Sequence, residues 1–107
     1  MTVRGLSPAV REALEFLGAQ IRTGRARRGW TQARLAERVG VSKLTIINIE
    51  RGEPSVSIGS VFEAAALTGV TLYDPDPSMR SQLRAVQRAE LALLPKAVRD
   101  RKVDDDF

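Results

Sequence analysis

Apolar residues recur at helical spacing along most of the chain, in short runs separated by capping residues and glycines. Ser7-Pro8 reads as an N-cap followed by proline at the first helical position. Val10, Leu14, Leu17 and Ile21 then give a first helix one apolar face. Gly18 is expected to weaken that helix and Gly29 to close it. Thr31 caps a second helix, with Trp30 and Leu35 placed as a hydrophobic staple. Leu35, Ala36 and Val39 face inward, and Gly40 stands where a left-handed C-cap residue is wanted. The arrangement then repeats. Ser42 caps a third helix, Val41 and Ile46 form a second staple, Ile46 and Ile49 face inward, and Gly52 ends it. Two short capped helices joined around Gly40-Val41 describe a helix-turn-helix.

Glu53 to Val56 is a turn without helical period. Ser57 caps a fourth helix with Ile58, Val61, Phe62 and Ala65 on one stripe and Gly69 at its end. Tyr73-Asp74-Pro75-Asp76-Pro77 reads as a rigid, helix-breaking connector. A fifth helix is expected from about Met79 to Leu94, with Leu83, Val86, Leu93 and Leu94 near one face and Glu90 interrupting it. Pro95 ends that helix, and Lys96 to Phe107 form a basic patch followed by three aspartates and a terminal phenylalanine. The expected organisation is a helix-turn-helix domain over 7–72, a proline-rich connector and C-terminal helix over 73–94 whose leftover apolar face serves dimer or partner contact, and a flexible, basic-then-acidic tail over 95–107. The fold class is all-α, a compact bundle of four to five helices.

Composition narrows the chemistry. The 107 residues include neither cysteine nor histidine. Disulfides, thiolate metal sites, histidine zinc sites and histidine-dependent triads are therefore excluded. No cofactor or metal is expected. The segment MTVRGLSPAVREALEF has no long apolar run, so a cytoplasmic protein without a membrane span is expected. Charge is uneven: residues 1–52 hold ten basic and four acidic side chains, a net +6, whereas residues 53–107 hold seven and nine, a net −2. A basic front half suits a polyanionic partner.

In a helix-turn-helix the second helix of the motif enters the major groove with its N-terminal residues leading. Here those are Lys43, Leu44, Thr45, Ile47 and Asn48. Asn48 can donate and accept toward adenine, Lys43 can reach guanine or a phosphate, and Leu44 or Ile47 can pack on a thymine methyl. Thr31, Gln32 and Arg51 sit where backbone contacts would position that helix, and Arg27 and Arg28 are further candidate phosphate contacts. Each has a plainer reading. Apolar Leu44 and Ile47, taken as exposed, would suit a protein contact, Asn48 simple solvation, Gln32 first-turn filler, and the arginines a solvated helix end complementing the dipole.

Leu17 to Val70 resembles the phage-repressor-like (Cro and C1 type) helix-turn-helix regulators of bacteria. The shared marks are Thr31-Gln32 opening helix two, Leu35-Ala36-Glu37, Gly40-Val41-Ser42 at the turn, and Ile46-x-x-Ile49-Glu50-Arg51-Gly52 ending helix three. The resemblance implies a lambda-repressor-like bundle that binds operator DNA as a homodimer. Double-stranded DNA carrying an inverted repeat is then the expected partner. Leu44, Ile47 and Asn48 stand where that family often has serine, arginine or glutamine, so no relative's operator transfers. The ending LPKAVRDRKVDDDF, with GEPSVSIGSVFEAAALTGV, is similar to the HipB-type antitoxins that accompany HipA-type kinase toxins. That similarity implies autorepression of a toxin-antitoxin operon, a kinase toxin as partner, and partner contacts at Val103, Asp104, Asp105, Asp106 and Phe107. A solubilising acidic tail is the plainer account of the aspartates. Other readings are a stand-alone repressor and a helix-turn-helix turned protein-docking module. An enzyme is not expected: magnesium on Asp104 to Asp106 would lack fixed ligand geometry and a substrate pocket.

Overall fold

A computed structural model describes residues 5–99. The elements are α1 (Pro8–Arg27), α2 (Gln32–Val39), α3 (Lys43–Glu50), α4 (Ile58–Leu67), α5 (Pro77–Leu93) and the single turn α6 (Lys96–Arg99). No strand occurs among the described residues, and the fold is all-α. No helix among them is long and apolar enough to cross a membrane. The chain divides between Leu72 and Tyr73 into two units.

Caps set the boundaries of the first unit. Ser7, Thr31 and Ser42 each accept a backbone N–H from three residues on, at 3.2, 3.0 and 3.1 Å. These bonds satisfy amides that a helix start leaves without partners. Gly40 ends α2 at φ +85°, and the Gly40 and Val41 N–H groups both reach back to the Ala36 carbonyl. A side chain there would sit in the left-handed region, which L-residues rarely adopt. This one glycine turns the chain from α2 into the cap of α3.

The core is small and shared by four helices: Ile21 from α1, Leu35 and Ala36 from α2, Ile46 and Ile49 from α3, Ala64 and Ala65 from α4. Leu17, Trp30, Val39, Val41, Val56, Val61, Leu67 and Val70 close around it. Gly18, expected to weaken α1, has a packing purpose. A Cβ there would lie 2.6 Å from the carbonyl oxygens of both Ile49 and Glu50, so its absence lets the end of α3 rest on α1. Gly24 does the same for Thr68 at the end of α4.

Three expectations need correction. Of the expected α4 stripe, Ala65 and Val61 meet the core, but Ile58 and Phe62 are 69% and 47% exposed, and Ala64 and Leu67 take their place. Small side chains allow closer approach than a branched or aromatic stripe, so the helix is rotated toward its alanines. Second, α5 begins at Pro77, inside the supposed connector, because Asp76 Oδ1 accepts the Ser78 N–H at 3.0 Å and proline is tolerated at the first helical position. Third, Ile47, taken as exposed, is half-buried. Beyond Pro95, Lys96–Arg99 forms a helical turn. The Ser57 cap of α4 also lacks a side-chain hydrogen bond.

Candidate nucleic-acid interface

The first turn of α3 opens to solvent through its leading residues. Lys43 and Leu44 are exposed, Leu44 by 62% despite its apolar side chain. Thr45, Ile47 and Asn48 are half-buried along the same helix, which leaves each with an accessible portion. Thr45 is tied into the cap: its Oγ1 lies 3.0 Å from Ser42 Oγ. Arg51, at the C-cap of α3, is exposed. Ile46 and Ile49, on the opposite face, are buried and fix the rotation of the helix.

Lys43 does not stand alone. It lines a surface recess with Arg22 and Arg25 of α1, Thr31 at the cap of α2, and Gln32 and Ala33 in its first turn. The N-terminal ends of α2 and α3 therefore open on one side of the molecule beside three basic residues. Each helix start adds a partial positive charge and outward amides, which favours a phosphate group. No carboxylate lines the recess.

A buried carboxylate lies just beneath. The Glu50 side chain is 3% exposed. It accepts Arg25 Nε at 2.6 Å on Oε2, and Arg25 Nη2 and Gln32 Nε2 on Oε1, both at 3.1 Å. Arg25 Nη1 donates to the Trp30 carbonyl at 2.8 Å. One guanidinium thus joins α1, the loop before α2 and the end of α3. A buried carboxylate left without such partners is costly, so the network locks these elements together. It also holds Gln32 by one amide N–H, leaving the other donor and the carbonyl to serve a ligand.

Arg27 is exposed, as a phosphate contact requires. Arg28 is partly committed elsewhere: its Nη1 donates to the Gly24 and Thr68 carbonyls at 3.2 and 2.9 Å, tying α1 to the end of α4. Trp30 is flanked by Arg38 and Arg28, whose Cζ atoms lie 4.6 and 5.8 Å from its ring centroid. Val103, Asp104, Asp105, Asp106 and Phe107 lie outside the described residues.

Arg22 and Arg25 lie on the same arginine-rich end of α1 as the candidate phosphate contacts Arg27 and Arg28, and the structure turns both of them toward the recess. Glu50 sat within a recognised motif. Its neighbour Ile49 and the preceding Ile46 place it at the core edge, where a carboxylate must find a cation.

Comparison with known proteins agrees with this geometry. A family model described as helix-turn-helix matches residues 21–74. The HTH-type transcriptional regulator SutR of Escherichia coli (strain K12) is 40% identical over 50 residues, which is 47% of this chain. The matched stretch takes in only 28% of that relative's length.

Proposed function

The chain belongs to the helix-turn-helix family, and from that premise we propose that it is a DNA-binding transcription regulator acting as a sequence-specific repressor. The observation that carries this reading is the shared recess of Arg22, Thr31, Gln32 and Lys43 at the starts of α2 and α3. A phosphate seated there would hold the first turn of α3 against the major groove. Lys43, Leu44, Thr45, Ile47 and Asn48 then read base edges, while Thr31, Gln32, Arg51 and Arg27 position the duplex. Arg28 contributes through its remaining donors.

The repressor acts as a homodimer, with two copies of α3 in successive major grooves about 34–36 Å apart on an inverted repeat. Selection of duplexes from a random pool tests this. The intact chain enriches an inverted repeat, and replacing Lys43, Thr45 and Asn48 with alanine removes discrimination without altering the helical circular dichroism. Enrichment of the same sequence by the triple variant would refute the assignment of α3.

A narrower role is antitoxin to a HipA-like kinase toxin, with autorepression of the shared operon. It is supported by the similarity of the ending LPKAVRDRKVDDDF to such regulators. Val103, Asp104, Asp105, Asp106 and Phe107 make the partner contact. An N-terminally tagged full-length bait recovers a kinase-like protein from the native host, and a bait ending at Leu94 loses it. Recovery of DNA alone by both baits supports a stand-alone repressor instead.

A further inference from the structure

Helix α5 is 17 residues long and buries none of them. Met79, Leu83, Val86 and Leu93 are nonetheless large apolar residues, from 40% to 84% exposed. Positions 79, 83, 86, 90 and 93 alternate steps of four and three residues, which is the spacing of a heptad seam. Glu90 takes one seam position. A helix in a protein draws most of its stability from packing its apolar face, and such a seam is satisfied by a second helix with the same spacing.

Charge decides both the occupant and its direction. In a parallel pair of α5 helices, Glu90 would face its own copy, setting two carboxylates together on a surface losing water. In an antiparallel pair, each step toward the C-terminus of one helix matches a step toward the N-terminus of the other. With Leu83 against Val86 of the second copy, Glu90 meets Met79 and lies beside Arg80 of that copy. Arg80 is well prepared for a carboxylate. Its Nη1 donates to the Asp74 and Pro75 carbonyls at 3.0 and 2.9 Å, and its Cζ lies 5.1 Å from the Tyr73 ring centroid. Those contacts stiffen the side chain while using only Nη1, and the edge formed by Nε and Nη2 matches a carboxylate geometrically. One acid on the seam is thus matched by a base of the same helix under a two-fold axis, which is the condition for self-association.

We infer that α5 pairs antiparallel with α5 of a second copy of this chain, Glu90 of each copy set against Arg80 of the other. The inference rests on the dimeric reading above and names its surface.

The chain has no cysteine, so introduced thiols are the only ones present. Full-length Met79→Cys and Glu90→Cys are prepared with tags of different size, oxidised mildly alone and mixed, and separated without reductant. Both positions are exposed, so neither change threatens the fold. A disulfide needs Cα atoms roughly 4.4–6.8 Å apart. Antiparallel pairing predicts a covalent product of mixed size from the mixture and none from either variant alone. Self-cross-linking of each variant alone would mean parallel pairing and overturn the inference. Sedimentation of the native chain separates the remaining outcomes. A dimer with no cross-link in any sample overturns the α5 pairing and leaves the dimeric repressor intact. A monomer with and without DNA overturns both.

Discussion

Helices α2 and α3 have eight residues each, and each places two of them in a closed core. Helix α5 is more than twice as long and buries none. Length does not explain the difference. The short helices are specified by their ends, where threonine and serine caps, a left-handed glycine and a buried arginine–glutamate pair fix direction and rotation. The long helix is patterned along one side, by an apolar seam that its own chain leaves exposed. Under the proposed function, the recognition surface has rigid local determinants, whereas the association surface stays open until a second chain meets it.

The largest test of that contrast removes the buried carboxylate. Glu50→Ala leaves Arg25 without its partner and is expected to cost about 3–5 kcal/mol, read as the shift in the urea midpoint. Gly18→Ala comes next. Its new methyl meets the Ile49 and Glu50 carbonyls, and forcing α1 and α3 apart costs about 1–3 kcal/mol, seen in thermal unfolding. If Gly18→Ala were neutral or stabilising, as helix propensity alone suggests, the close approach of α3 to α1 would be wrong.

Smaller effects sharpen the comparison. Ser42→Ala loses a bond to the Thr45 N–H and is expected to cost about 1 kcal/mol. Ser57→Ala, at a cap without a side-chain bond, should cost clearly less in the same assay. Leu83→Ala in α5 should shift unfolding of the first unit by no more than about 0.5 kcal/mol, because the residue is exposed. The same change should weaken self-association measured by sedimentation.

Much of the first unit was legible because its signals are local. Thr31, Ser42 and Gly40 announce themselves within a turn of chain, and Leu35, Ile46 and Ile49 follow from helical spacing once the caps are placed. The rotation of α4 was not. Ile58 and Phe62 are the larger apolar residues, yet Ala64 and Ala65 are the ones buried, and that choice depends on how closely neighbouring helices approach. The start of α5 was misread because Asp76-Pro77 reads equally as a break or as a cap with its first residue. At the site, Lys43, Thr31 and Gln32 follow from the motif. The pairing of Arg25 with Glu50 spans 25 residues, and no local pattern announces a contact of that range.

The account stands on phosphate contact at the recess between the starts of α2 and α3. The most direct test is the slope of log affinity against log salt for a selected duplex, compared among the native chain, Arg22→Ala and Arg88→Ala. Each neutralised phosphate contributes about 0.9 to that slope. The account predicts a steep slope for the native chain, a slope shallower by about 0.9 for Arg22→Ala, and no change for Arg88→Ala on α5. An unchanged slope in Arg22→Ala, or salt-insensitive binding by the native chain, would contradict it.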